Sequence, residues 1–63
     1  MKSNLRKIMD DRQTSVRVLA AGSGVSLSTV HKATTDRIME CSISTLKRLA
    51  SALNVQVSDL FEE

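Results

Sequence analysis

The chain has 63 residues, a mass of 6.9 kDa and a formal net charge of +2 at pH 7. A chain this short folds as one domain at most and buries only about 60% of the surface that it exposes when unfolded. This size excludes a barrel, a Rossmann unit and any enzyme that needs a large preorganised pocket. The single cysteine, Cys41, excludes an intrachain disulfide and favours a reducing compartment.

Two further classes are excluded by what the sequence lacks. No apolar run approaches the roughly 18 to 20 residues of a membrane span, and the N-terminus is too charged for a signal peptide. With one Phe and no Trp or Tyr, the chain has no aromatic platform on which single-stranded bases could stack. The 41% hydrophobic content suffices for a small core, so wholesale disorder is not expected.

The first predicted helix covers roughly residues 4 to 12. Leu5, Ile8 and Met9 recur with helical spacing and form one apolar stripe. Ser3 precedes this stripe and is the predicted N-cap, because a serine hydroxyl accepts a backbone amide at a helix start.

Two short helices are predicted next. The first follows Thr14 or Ser15, and the chain's two glycines bracket its end, where glycine adopts positive φ at little cost. The second covers about 27 to 35, with Ser26 as its cap. The inward-facing positions of the two helices are Val16, Leu19, Ala20, Val30 and Ala33.

The stretch from residue 35 to 41 lacks clear periodicity and is predicted to be a loop. Ser42 caps a fourth helix that ends at Asn54, a residue that tolerates the left-handed conformation. A last helical turn is predicted over Ser58 to Glu62. The core-facing residues of this half are Ile43, Leu46, Leu49, Ala50, Leu53, Leu60 and Phe61. With no strand pattern, the sequence predicts an all-α, compact five-helix bundle.

Residues 15 to 36 carry the functional signal, because two short helices flank a glycine-containing turn as in a helix-turn-helix. Ala20 is small enough for the helices to approach closely, Gly24 permits the turn, and Val25 fills the space beneath it. Val30 anchors the second helix from below. The residues left on its other side are Leu27, Ser28, His31 and Lys32.

Four segments resemble the lambda-repressor-like helix-turn-helix domain of the Xre/Cro type: NLRKIMDDR at the front, LAAGSGVSLSTV at 19–30, TLKRLASALNV at 45–55 and DLFEE at 59–63. Their order and spacing extend the resemblance over nearly the whole chain. The family fold has five helices, the third of which enters the major groove, and its members are mostly dimeric transcriptional repressors or activators of phages and bacteria. The resemblance therefore implies a single DNA-binding domain over residues 1–63, cytoplasmic and bacterial or phage-encoded, that binds double-stranded DNA without a cofactor. Met1 and the acidic end suggest a complete protein.

The resemblance also implies two sets of DNA contacts. Base-edge reading falls on Leu27, Ser28, Thr29, His31 and Lys32. Contacts to the DNA backbone fall on Ser15, Val16, Arg17, Arg37 and Ser42. The residue types agree in part: lysine can reach guanine O6 or N7, a leucine can lie against a thymine methyl group, and helix N-terminal amides suit phosphate oxygens. At position 16 the family commonly has Gln, whose hydrogen bonds Val16 cannot make.

Charge is distributed in a way that supports DNA binding. Residues 1–54 carry all nine Lys and Arg against four acidic residues, a net charge of +5, whereas residues 55–63 carry a net charge of −3. Solvated helix faces often produce such an imbalance, so the charge distribution supports DNA binding without establishing it.

Dimerisation is expected because one small module covers only about 600 to 1,000 Å² of DNA-binding surface. A homodimer on a pseudo-palindrome, with half-sites about one helical turn apart, supplies the missing specificity. The apolar residues beyond the main helices are candidates for the dimer patch: Ile38, Met39, Val57, Leu60 and Phe61.

The sequence bears on three other functions. A protein-interaction module on the same fold, such as an antitoxin of a toxin–antitoxin pair, is suggested by the apolar strip of Val16, Val18 and Leu27. A membrane-surface peptide is disfavoured because basic residues are scattered over several short helices. An enzyme or metal site is disfavoured because one Cys and one His supply neither a catalytic pair with its orienting group nor about four zinc ligands.

Overall fold

The structure, a computed structural model, describes residues 1–62. Within that range the chain forms four α-helices, two 3-10 helices and two short strands. The strands and α-helices are β1 Lys2–Ser3, α1 Leu5–Asp11, α2 Val16–Ser23, α3 Leu27–Ala33, α4 Ile43–Leu53 and β2 Phe61–Glu62; the 3-10 helices are Asp36–Glu40 and Val57–Leu60. Glu63, the last residue of the segment that carries the resemblance, lies outside the described residues.

The predicted last helical turn over Ser58 to Glu62 is wrong in part, because Phe61 and Glu62 are not helical. The chain instead forms the 3-10 helix Val57–Leu60, and Phe61 is already extended, with φ −153° and ψ 162°. Strand β2 pairs antiparallel with β1, so that Lys2 lies opposite Glu62 and Ser3 opposite Phe61. A two-residue strand is too short to show the alternating pattern of a sheet, so hydrophobic periodicity could not predict this pairing.

The predicted loop over residues 35 to 41 is also wrong in part, because it contains the 3-10 helix Asp36–Glu40. The Thr35 hydroxyl accepts the amide of Arg37 at 3.2 Å and so caps this helix. Ile38 is its buried residue. With a single buried residue, the segment has no apolar repeat that periodicity could detect.

The predicted core is largely confirmed. The buried hydrophobic residues are Leu5, Met9, Leu19, Val25, Val30, Ala33, Ile38, Leu46, Leu49, Ala50, Leu53 and Leu60. Ile43 is the exception to the predicted apolar face of α4, since 62% of its surface is exposed. It occupies the first position of α4, at the end of the helix rather than along the stripe that faces the core.

The serine caps of three helices are confirmed. The hydroxyl oxygens of Ser15, Ser26 and Ser42 accept the amides of the residues three positions later, at 3.1, 3.3 and 3.2 Å. Ser3 is not the N-cap of α1; that position belongs to Asn4, whose side chain makes no capping bond. Asn54, with φ 57°, ends α4 in the left-handed conformation as predicted.

Candidate nucleic-acid interface

The turn between α2 and α3 has the backbone of a helix-turn-helix. Helix α2 ends at Ser23, and Gly24 follows in the left-handed conformation with φ 72°. The Gly24 amide donates to the Ala20 carbonyl at 3.0 Å and closes the last turn of α2. Val25 is buried beneath the turn, and Ser26 starts α3. Three residues therefore reverse the chain between two helices that pack on each other.

Helix α3 has one face in the core and one in solvent. Val30 and Ala33 are fully buried. On the opposite side Ser28 and His31 are exposed, and 40% of the Leu27 surface is accessible. The two other predicted base-reading residues, Thr29 and Lys32, are half-buried. The structure thus places all five on one short helix, with two of them partly covered.

Hydroxyl groups at the start of α3 already bond to one another. Ser26 donates its hydroxyl hydrogen to the Thr29 oxygen at 2.7 Å. The same bond recurs at the start of α4, where Ser42 donates to Thr45 at 3.0 Å. The segments SLST at 26–29 and SIST at 42–45 have the same pattern and build the same cap. Thr29 is the acceptor in this bond, so its own hydroxyl hydrogen is not used by it.

The predicted backbone contacts lie at the starts of α2 and α4 and in the first 3-10 helix. Ser15, Arg17 and Ser42 are exposed. Val16 is half-buried and packs against the core. An apolar side chain suits this half-buried position. The polar groups of Val16 are those of its backbone, at the start of α2.

Arg37 is engaged in an ion pair that the sequence reading missed. Its Nε donates to Glu40 Oε2 and its terminal Nη2 donates to Oε1, both at 3.2 Å. The two side chains are 66% and 50% exposed. The spacing of three residues was the available signal, because residues i and i+3 meet on a helical surface.

The ion pair perturbs both partners. The hydrogen bonds from Arg37 hold the pKa of the Glu40 carboxyl below its ordinary value, and the positive charges of Arg37 and Lys32 add to this effect. The same hydrogen bonds raise the pKa of the Arg37 guanidinium. A carboxylate thus lies within electrostatic reach of two cations that were predicted to contact DNA.

Comparison with models of known families identifies the family of this chain. The family model for the Cro/C1-type helix-turn-helix DNA-binding domain matches residues 4–62. The chain belongs to this family. Neither a curated protein nor a solved structure matches the chain.

Membership of the Cro/C1-type family makes the chain a DNA-binding domain of the transcription-regulator kind. Residues 1–62 contain no helix that is long and apolar enough to cross a membrane. In the same range no three His, Cys, Asp or Glu side chains come together in a group that could hold a metal ion.

The predicted dimer patch of this Cro/C1-type domain needs correction. Ile38 and Leu60 are fully buried in the core, so neither is available to a partner. Val57 and Phe61 are half-buried and pack against the core. Met39 is 64% exposed and remains a candidate. Sequence reasoning had assigned Ile43 to the core, but its exposure puts it among the apolar side chains open to a partner.

Proposed function

We propose that the chain is a sequence-specific double-stranded DNA-binding domain that acts as a homodimeric transcriptional regulator, most simply a repressor. The observation that carries the proposal is that α3 has one face buried in the core and the opposite face exposed. Val30 and Ala33 fix the helix from below, while Ser28 and His31 stay open to solvent. A helix held in this way on a helix-turn-helix suits insertion into the major groove.

Each proposed reader on α3 has a matching chemistry on a base edge. Lys32 reaches guanine O6 or N7, and the exposed part of Leu27 lies against a thymine methyl group. Ser28 and Thr29 donate or accept through their hydroxyl groups, and His31 donates to an acceptor on a base or to a phosphate. Half-burial of Lys32 and Thr29 supports this role, because a side chain with restricted freedom loses less conformational entropy on binding.

Contacts to the DNA backbone would set the position of α3 in the groove. The starts of α2 and α4, at Ser15 and Ser42, direct backbone amides outward, and such amides favour phosphate oxygens. Arg17 and Arg37 supply positive charge beside them, and the amide of Val16 contributes from the first turn of α2. These contacts carry no sequence information and act on every duplex alike.

Selection from random duplex DNA with the purified protein at about 100 mM salt tests the proposal. A short inverted repeat among the selected sequences is the expected result, and its spacing would give the distance between half-sites. A folded protein that enriches no sequence would contradict sequence-specific binding.

The homodimer is proposed because one module of this size covers too little DNA for high specificity. Met39 and Ile43 are the most exposed large apolar side chains near the start of α4. Val57 and Phe61 keep part of their surface accessible. Sedimentation at tens of micromolar should give a dimer, at least with operator DNA, and a monomer in both conditions would contradict this part of the proposal.

A second function has an observation of its own. Val18 is 62% exposed on α2, and Leu27 is 40% exposed at the start of α3, so each helix of the helix-turn-helix exposes one large apolar side chain. Exposed apolar side chains at these positions favour a protein-interaction module, such as an antitoxin that binds a partner protein. Co-purification of a stoichiometric protein partner, lost when Val18 is replaced by Ser, would favour this function over the first.

A further inference from the structure

The ion pair between Arg37 and Glu40 lies beside the proposed DNA interface. Both residues belong to the 3-10 helix that directly follows α3 and packs against it. Glu40 accepts two hydrogen bonds from one guanidinium, which directs the Arg37 side chain towards Glu40 in the free domain. Two of the five guanidinium N–H groups are thereby used, and the other three make no hydrogen bond within residues 1–62.

We propose that Glu40 is an electrostatic restraint on Arg37 that lowers the sequence-independent part of DNA binding. This inference rests on the proposed function and adds a residue that it does not contain. In the free domain Glu40 neutralises Arg37. When a phosphate approaches Arg37, it competes with the Glu40 carboxylate for the same guanidinium.

The physical basis is the weakness of exposed ion pairs. An exposed pair of this kind holds loosely, so a phosphate can displace the carboxylate. The displaced carboxylate then lies near the DNA as an unpaired negative charge. The restraint therefore acts on one proposed backbone contact.

The restraint has a signature in the salt dependence of binding. A cation that contacts a phosphate releases about 0.9 counterion from B-DNA. In the wild-type domain Arg37 is already neutralised, and the freed Glu40 takes up a counterion, so this release is largely cancelled. Without Glu40 the full release returns. The ratio of variant to wild-type affinity is then up to about 8-fold higher at 0.1 M salt than at 1 M salt.

The decisive experiment measures binding of four variants to a random-sequence duplex and to the selected site, between 50 and 400 mM salt. The variants are Glu40→Gln, Arg37→Ala, the double variant, and Asp36→Asn as control. Asp36 is matched to Glu40 because it is exposed, acidic and part of the same 3-10 helix, yet it forms no ion pair within residues 1–62. Circular dichroism establishes that each variant is folded.

The expected result for Glu40→Gln is binding about 3- to 8-fold tighter at 0.1 M salt on both duplexes, with a steeper salt slope by up to about 0.9. Asp36→Asn should give a smaller gain. In the Arg37→Ala background, replacing Glu40 should give a smaller gain than it gives in the wild type, because only the repulsion between Glu40 and the DNA is then relieved.

Three results would overturn the inference. Equal gains for Glu40→Gln and Asp36→Asn would mean that any nearby negative charge acts in the same way. An equal gain from Glu40→Gln with and without Arg37 would mean that Glu40 repels DNA without holding Arg37. A wild-type domain that is folded but binds neither duplex at 50 mM salt would overturn the proposed function as well, and this result is recognisable before any variant is compared.

Discussion

The hydroxyl group of Ser3 donates to the carbonyl oxygen of Ala33 at 2.5 Å, across 30 residues of sequence. Ser3 belongs to β1 and Ala33 is the last residue of α3, so this bond connects the paired chain ends to the helix that is proposed to read DNA. The same hydroxyl oxygen accepts the amide of Leu5 at 3.2 Å. One side chain therefore satisfies both the start of α1 and the end of α3.

Replacing Ser3 by Ala should lower the free energy of unfolding by about 1 kcal/mol, since it removes one partner from a partly buried carbonyl and one from an amide. Urea unfolding measures the loss. Ser58→Ala is the matched control, because Ser58 is exposed, and its effect should stay within about 0.5 kcal/mol. Equal effects of the two substitutions would mean that the Ser3 bond contributes nothing measurable.

Replacing each of the two glycines by alanine should change the folding stability in opposite directions. Gly24 has φ 72°, a conformation that costs a residue with a Cβ about 1 to 2 kcal/mol. Steric overlap adds little, because the nearest atom to a new Cβ would be a terminal nitrogen of Arg48 at 3.6 Å. Gly22 lies within α2 with open space around it, so alanine there should stabilise by about 0.5 to 1 kcal/mol. Thermal unfolding measures both changes: the midpoint temperature should fall for Gly24→Ala and rise for Gly22→Ala.

Local chemistry accounts for the features that the sequence predicted well. Serine caps, Asn54 in the left-handed conformation and the stripe along α4 are each set by residues within a few positions of one another. The pairing of β1 with β2 depends on residues about 60 positions apart and has no local pattern. Ile38 was predicted at a surface, and Leu60 was assigned both to the core and to the dimer patch, because each lies outside the longer helices; their 3-10 turns fold both into the core. The Arg37–Glu40 pair could have been predicted from its spacing, but exposed charges so spaced often stay apart.

The fourth helix offers a direct contrast between a buried and an exposed apolar residue. Leu49 is fully buried, so Leu49→Ala should cost about 2 to 5 kcal/mol of folding stability. In a domain of this size that loss can unfold the chain. Ile43→Ala should change stability by less than about 0.5 kcal/mol, because the side chain is mostly in solvent. Denaturant titration distinguishes the two, and a large loss for Ile43→Ala would mean that Ile43 is covered in solution, for example by a second copy.

The proposed readers on α3 and the backbone contacts differ in what they do to selectivity. Lys32→Ala should weaken binding to the selected site by about 1 to 3 kcal/mol and relax the preference at one base pair. In the Glu40→Gln background, where no carboxylate cancels the counterion release of Arg37, Arg37→Ala should weaken binding to all duplexes alike and reduce the salt slope by about one. Fluorescence anisotropy on selected and random duplexes measures both. The assigned roles would be wrong if the two substitutions had the same effect on both duplexes.

The Glu40 carboxyl reports on its ion pair without any DNA present. Arg37 lowers the pKa of this group in the folded domain. A carboxyl whose pKa is lowered by folding contributes stability above its unfolded pKa, and that contribution disappears as the pH falls through the folded pKa. Arg37→Ala should therefore raise the Glu40 pKa towards its ordinary value, whereas Lys32→Ala should raise it less, because hydrogen bonds from Arg37 are the larger cause. An NMR titration of the Glu40 side chain in the three proteins measures these shifts. An unchanged pKa in Arg37→Ala would show that the pair does not form in solution, and would remove the structural basis for a restraint on Arg37.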